Sequence, residues 1–168
     1  MRLTSLLLSC LLCLLPGFAS AQSATPIRML DPVPYASNSV IATRIKRECT
    51  SLGHEIAFML NGMQRGKMQL VQGSLPTRSP GQVLKLEIVD VYSDGNAFLG
   101  HRQGVKLRGV LYRDGSKVAG FTAQRTNTAD NLMKACANLD IFAPLFARDI
   151  SRWLKSPKDG AELGRSWF

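Results

Sequence analysis

The segment that decides the fold is VKLRGVLYRDGSKVAGFTAQR, residues 105–125. Its two halves, 105–113 and 117–125, alternate apolar side chains with polar ones, as strands do when one face of a sheet is covered and the other is wet. Asp114 and Gly115 stand between them and tolerate the positive φ angles of a type I′ turn. The segment therefore predicts an antiparallel hairpin.

A two-residue turn also predicts the register of this hairpin. The expected pairs are Arg113 with Ser116, Tyr112 with Lys117, Leu111 with Val118, Gly109 with Gly120 and Leu107 with Thr122. Two glycines would then face each other, and the missing side chains would let a covering helix, or alternatively a ligand, approach the sheet closely.

Further strands are expected upstream of the hairpin. The clearest is 82–92, where Leu84, Leu86 and Ile88 alternate with charged residues, and 67–72 and 39–47 alternate in the same way. Residues 51–61 predict a helix capped by Thr50 or Ser51, and 93–104 predict a connection. The proline-rich segment 22–38 reads as an extended lead-in with a short edge strand at 27–30.

Downstream, apolar residues recur every three or four positions from Leu132 to Leu154. This spacing predicts a second helix that begins at Thr128 and ends by residues 155–157. Pro144 lies inside it and lacks a backbone N–H, so we expect a kink or break between Asp140 and Pro144. Residues 158–168 show no apolar period and predict a flexible tail.

The order of these elements is β-α-β-β-β-β-α, which predicts a single α+β domain over residues 39–157. We expect a mainly antiparallel sheet of four to five strands with both helices on one face.

The amino terminus predicts an exported protein. Arg2 precedes an apolar run of about a dozen residues, and Ala19-Ser20-Ala21 is a typical cleavage site, so residues 1–21 read as a signal peptide. The alternative is a lipoprotein signal, in which Leu7-Leu8-Ser9-Cys10 makes Cys10 the acylated first residue. The apolar run is shorter than the roughly 20 residues of a membrane span, so it reads as a signal and not as a membrane anchor. After cleavage we expect no transmembrane segment and a periplasmic location.

Cys49 and Cys136 are the cysteines that remain after cleavage at residue 21. An even count in an oxidising compartment predicts a structural disulfide, with the two Cα atoms within about 7 Å of each other. The wide sequence separation argues against a redox-active pair, which usually occupies a C-x-x-C turn. With His54 and His101 as the available histidines, no metal site is expected, and no motif calls for a cofactor.

The chain is strongly basic, with 21 Lys and Arg against 12 Asp and Glu. Cleavage removes Arg2 and no acidic residue, so the mature formal charge is +8. Such a surface favours anionic partners, although the charge can also serve solubility. The cations are scattered and are not interleaved with aromatic residues, which argues against nucleic-acid binding.

Two candidate sites follow from the sequence. The expected register places Lys106, Arg108, Tyr112 and Lys117 on the wet face of the sheet, as a patch for an anionic ligand. His101, with Ser93 and Asp94 in the same predicted connection, is the one catalytic grouping to consider, since nucleophile-elbow, zinc-protease and phosphate-loop motifs do not occur. Turn formation also explains these three residues.

Several motifs resemble a known group of proteins. They are Arg47-Glu48-Cys49, Gly95 to Gly100, the Asp114-Gly115 turn, and Cys136 to Leu139 leading to Asp149 to Leu154. Over residues 40–157 their spacing resembles that of small exported proteins of Gram-negative bacteria, and the element order is similar to the TolB amino-terminal domain and the curli-secretion lipoprotein. The resemblance implies an envelope location and an α/β fold, and it supplies no catalytic residues.

From these features we expect a non-enzymatic binding or interaction module of the cell envelope. Its partner would be an envelope protein, added as a strand at a sheet edge, or an anionic envelope polymer or lipid. A hydrolase-type enzyme with a site around His101 is the less favoured alternative.

Overall fold

The structure is a computed structural model that describes residues 25–96, 100–129 and 135–164 of the chain. The signal peptide predicted at residues 1–21 lies outside the described residues. The strands are β1 (Ile27–Leu30), β2 (Met68–Val71), β3 (Gln82–Asn96), β4 (Gly100–Arg113), β5 (Ser116–Ala129) and β6 (Ala161–Leu163). The helices are α1 (Thr43–Glu48), α2 (Ser51–Gln64), α3 (Ala135–Asp140) and α4 (Phe142–Trp153).

The described strands form one six-stranded sheet in the order β2-β1-β3-β4-β5-β6. Strands β3, β4 and β5 form an antiparallel meander, whereas β1 is parallel to β2 and β3, and β5 is parallel to β6. The α+β class and the mainly antiparallel sheet are confirmed, since most residue pairs belong to the meander, although three short strand pairings are parallel. The reason is that β1–β2 and β5–β6 are each joined through helices, and such crossovers make neighbouring strands parallel.

The central hairpin turns at Asp114 and Gly115, whose φ angles are 49° and 82°. The expected pairs Arg113–Ser116 and Tyr112–Lys117 are confirmed. Beyond them the register shifts by one residue on β5, so that the inner pairs are Leu111–Ala119, Val110–Gly120, Gly109–Phe121 and Leu107–Ala123. The prediction that Gly109 faces Gly120 is therefore wrong, because a bulge in β5 takes up one residue.

The strand predicted at 39–47 is also wrong, since this segment contains helix α1. Ile41, Ile45 and Cys49 recur every fourth residue, which fits one face of a helix as well as alternate positions of a strand. Arg44 and Glu48 form an i,i+4 ion pair across one turn, with Nε and Oε2 3.0 Å apart.

Residues 93–104 were predicted as a connection, but its described residues, 93–96 and 100–104, extend two strands. Ser93 pairs with Gln103 and Asp94 with Arg102, so β3 and β4 continue well beyond the predicted strand ends. Thr128, the expected helix cap, lies in β5 and pairs with Arg102.

The helices otherwise follow the prediction with changed ends. Helix α2 continues through Gly62 to Gln64 and ends where Arg65 takes the left-handed conformation, with φ 47°. The expected break before Pro144 is confirmed, because Ile141 separates α3 from α4. In the predicted flexible tail, Ala161–Leu163 form β6. Strand β1 was expected at an edge of the sheet but lies between β2 and β3.

The core lies between the helices and one face of the sheet. Leu84, Leu86 and Ile88 of β3 are buried as predicted. Phe121 and Trp153 meet edge to face with ring centroids 4.7 Å apart. The largest buried side chains from the helices are Leu52, Ile56, Leu60, Leu139, Phe142, Phe146 and Ile150.

The predicted disulfide is confirmed. Cys49, just before α2, is bonded to Cys136 of α3, and their Cα atoms are 5.0 Å apart. The hydroxyl of Tyr35 donates a hydrogen bond to the Cys49 carbonyl oxygen over 2.9 Å. The disulfide thus joins the segment before α2 to α3 on the covered side of the sheet.

Candidate functional site

A concave surface lies where α2 and α4 both end. This basic cleft has a volume of about 750 Å³ and also borders the starts of β1 and β3. Its charged lining consists of Arg65, Lys67, Arg148, Arg152 and Lys155. All five side chains belong to exposed residues.

The local sequence explains why these cations converge. Arg65 closes α2, and Lys67 follows one residue later at the entry to β2. On α4, Arg148, Arg152 and Lys155 are spaced by four and three residues, so they share one flank of the helix and the turn after it. The adjacent apolar stripe of α4 is buried in the core. This burial orients the helix so that its cationic flank lies beside the end of α2.

Neutral groups complete the lining. They are Thr25, Gln64, Gln82 and Ser151, with Gly62 and the apolar side chains Ile27, Met63 and Leu154. The side-chain amide of Gln64 donates to Ser151 Oγ over 2.9 Å and so links the two helices at the base of the cleft.

The five cations have no carboxylate within ion-pair distance among the residues that the structure describes. Ion pairs do occur elsewhere on the described surface, as between Arg108 and Glu87 and between Lys117 and Asp159. Uncompensated charge of one sign around a concave surface focuses the field and attracts counterions.

The predicted patch on the open sheet face is assembled but largely neutralised. Lys106, Arg108 and Tyr112 alternate along β4, and Tyr112 lies opposite Lys117. However, Arg108 Nη2 lies 2.7 Å from Glu87 Oε2, and Lys117 Nζ lies 2.9 Å from Asp159 Oδ1.

The carboxylates of this open face are held in their charged form. Partial burial by itself raises the pKa of Glu87, but hydrogen bonds from Arg108 and Lys85 outweigh it and lower that pKa. The hydrogen bond from Lys117, with one from the Gly120 amide, lowers the pKa of Asp159. Much of the positive charge predicted for this face is thus already compensated.

The catalytic grouping around His101 is placed in paired strands rather than in a loop. His101 pairs with Gly95 of β3, and Ser93 pairs with Gln103. The side chains of Ser93, Asp94 and His101 lie outside the described part of the structure. His54 is better defined, with Nδ1 2.6 Å from Asp31 Oδ1, and this contact joins α2 to the end of β1.

Across residues 25–96, 100–129 and 135–164, no helix combines the length and apolar character needed to cross a bilayer. Within the same ranges, no group of three or more His, Cys, Asp or Glu side chains converges as metal ligands do.

The cations of the basic cleft were not grouped by sequence reasoning. Arg65 and Lys67 are distant in sequence from Arg148, Arg152 and Lys155, and only the contact between α2 and α4 brings them together. The available signal was the four-and-three spacing on α4, which places three cations along one side of its apolar stripe.

Comparisons with known proteins give distant structural similarity. No family model matches the chain, and no curated protein matches it significantly. A minor lipoprotein from Acinetobacter baumannii is 12% identical, with a TM-score of 0.43, over 77% of this chain and 91% of that one. The hypothetical protein CT253 from Chlamydia trachomatis is 12% identical, with a TM-score of 0.47, over 79% and 95%. The PelC dodecamer from Paraburkholderia phytofirmans is 14% identical, with a TM-score of 0.41, over 74% and 88%.

Proposed function

We propose that this protein is an exported, non-enzymatic binding module of the cell envelope that recognises an anionic component through the basic cleft. The observation that carries the proposal is the convergence of five cations around one concave surface without a described carboxylate to neutralise them.

Helix stabilisation accounts for only part of this arrangement. Cations in the last turn of a helix interact favourably with its dipole, which explains Arg152 and the residues just beyond the helix ends. Arg148 lies near the middle of α4, and Lys67 precedes a strand, so neither gains from a helix terminus. Binding of an anion would explain why both of these cations line the cleft.

Two features support an envelope location. The signal peptide expected at residues 1–21 would export the chain, and the Cys49–Cys136 disulfide suits an oxidising compartment. The cleft also suits binding better than catalysis, because it is lined by charge and hydrogen-bond donors, and its described lining contains no carboxylate or histidine to act as a base.

The test uses the mature protein, residues 22–168, with charged probes and neutral counterparts. Co-sedimentation with phosphatidylglycerol vesicles is compared with phosphatidylcholine vesicles, and retention on alginate with retention on dextran. We expect binding to at least one anionic probe that weakens as salt rises, because counterions screen exposed charges.

Variants locate the binding surface. Arg148→Gln and Lys155→Gln should each weaken binding about fivefold. A cation near an anionic surface contributes about 1 kcal/mol, and losing that energy lowers the affinity by this factor. Lys106→Gln is the matched control on the open sheet face and should change little. No binding to either anionic probe at low salt, or equal loss in the control, would contradict the proposal.

A further inference from the structure

The lining of the basic cleft also indicates the chemical class of its ligand, an inference that rests on the function proposed above. The neutral polar groups there add donors to the five cations. Ser151 Oγ accepts a hydrogen bond from the Gln64 amide, so its own hydroxyl hydrogen is free to point at a ligand. Thr25 and Gln82 bring a further hydroxyl and a further amide to the lining.

A donor-rich, cationic surface suits a ligand that only accepts hydrogen bonds. Phosphate esters fit this better than carboxylates, since a phosphomonoester carries about −1.5 to −2 charges and three acceptor oxygens, whereas a carboxylate carries one charge. Three of the five cations are arginines, whose planar forks bind phosphate oxygens in pairs. Five cations line a cleft of about 750 Å³, and a ligand with a high density of negative charge would balance their charge best.

The lining also has an apolar part. Ile27 and Leu154 are half-buried and pack against the core, and Met63 remains 43% exposed. An exposed methionine beside charged groups offers a flexible contact for hydrocarbon. A cleft of this volume lies within the range that holds small organic ligands.

We infer that the basic cleft binds a phosphorylated amphiphile, in which a phosphate or diphosphate group contacts the cations and a hydrocarbon portion lies on Ile27, Met63 and Leu154. The cations fix the head group, and the apolar side chains select ligands that carry a chain.

Isothermal titration calorimetry at constant ionic strength tests this assignment with three probes: inorganic pyrophosphate, citrate and geranyl diphosphate. We expect pyrophosphate to bind at least about tenfold more tightly than citrate, because charge-assisted bonds to arginine add up over more oxygens. Geranyl diphosphate should bind at least about fivefold more tightly again, through burial of its apolar surface.

Two variants separate the head-group and chain contacts. Arg148→Gln should weaken both phosphate probes about tenfold. Met63→Gln should remove most of the gain from the geranyl chain and leave pyrophosphate binding unchanged, with thermal melts confirming that both variants fold. Lys106→Gln serves again as the control.

The outcomes distinguish the two proposals. Citrate binding as tightly as pyrophosphate would overturn the phosphate assignment and leave the anion-binding function standing. A geranyl gain that is absent, or that Met63→Gln does not affect, would overturn the amphiphile. If none of the three probes binds and the vesicle and alginate assays are also negative, the proposed function falls as well.

Discussion

Gly109 shows how one residue sets the packing of this sheet. A Cβ atom built there would lie 2.2 Å from Phe121 Cζ and 2.9 Å from Leu86 Cδ2. The space above Gly109 is therefore filled by the ring of Phe121, which in turn contacts Trp153 of α4. A glycine is needed because the neighbouring ring, rather than its own side chain, occupies the site.

Replacing this glycine should be costly. We expect Gly109→Ala to destabilise the fold by about 1–3 kcal/mol, because overpacking forces the Phe121 ring to move. Gly120→Ala is the matched control on the next strand, where an added Cβ would meet its nearest atom at 3.3 Å. Urea denaturation measures both variants, and a Gly109→Ala protein no less stable than Gly120→Ala would contradict the packing account.

Asp140 provides a second prediction for a single residue. Partial burial raises its pKa and nearby Glu55 raises it further, although the Ser51 hydroxyl lowers it by a hydrogen bond. A carboxyl whose pKa is higher in the folded state favours folding when protonated, and this contribution is lost as pH rises through that pKa. Asp140→Asn should therefore unfold at higher denaturant than wild type at pH 7, with the difference disappearing near pH 3. A variant that is less stable at pH 7 would contradict this assignment.

At this scale the sequence was informative where chemistry is local. The Asp114-Gly115 turn needs only its own two residues, and the Cys49–Cys136 pair follows from the count of cysteines in the expected mature chain. The contact of Gly109 with Phe121 was not predictable, because the bulge in β5 that shifts the register has no marker in residue type.

Among the elements, the last strand is attached to the sheet by a side chain. Asp159 precedes β6, and its Oδ1 accepts a hydrogen bond of 2.7 Å from the Gly120 amide of β5. Its carboxylate also lies 2.9 Å from Lys117 Nζ. These contacts hold the end of the chain against β5, where three residue pairs then join β5 to β6.

Removal of this carboxylate should loosen β6. We expect Asp159→Ala to increase the rate of hydrogen exchange at the Gly120 and Thr122 amides, which lie on the β6 side of β5, because weakly held edge elements open locally. Lys158→Ala is the control, since its backbone carbonyl, rather than its side chain, accepts the Trp153 indole N–H. Unchanged exchange in Asp159→Ala would show that β6 is held by other contacts.

The elements also show where periodicity fails. In segment 39–47 the alternation of Ile41, Thr43 and Ile45 and the β-branched residues predict a strand, but the spacing of Ile41 and Ile45 also fits a helix. The i,i+4 pair of Arg44 and Glu48 is the helix signal that decides between them. Strands β1 and β6 are short, and their parallel pairing depends on crossovers through helices, which residue patterns within the strands do not encode.

For the whole molecule, the disulfide closes a long loop. Cys49 and Cys136 are 87 residues apart, and the chain-entropy model gives about 4–5 kcal/mol for a loop of this size. We expect the double variant Cys49→Ala, Cys136→Ala to lose stability on this scale, which is a large part of what a small domain possesses. Thermal unfolding of oxidised, reduced and double-variant protein measures it, and a difference below about 1 kcal/mol would contradict a structural role.

The candidate site likewise belongs to the whole molecule. Composition predicted a basic surface and an anionic partner, but the location of the charge depends on packing. Glu87 and Asp159 pair with Arg108 and Lys117 of the predicted patch on the sheet. The contact between α2 and α4 gathers Arg65, Lys67 and Arg148 with their neighbours into the basic cleft.

Anions should accumulate at the basic cleft rather than elsewhere on the surface of the protein. Nuclear magnetic resonance measures this directly, by comparing amide proton relaxation caused by an anionic gadolinium chelate with that caused by a neutral one. We predict excess relaxation from the anionic chelate at Arg65, Lys67, Arg152 and Lys155 that falls as salt rises. Excess relaxation centred on Lys106 and Arg108, or spread evenly over the surface, would contradict the account.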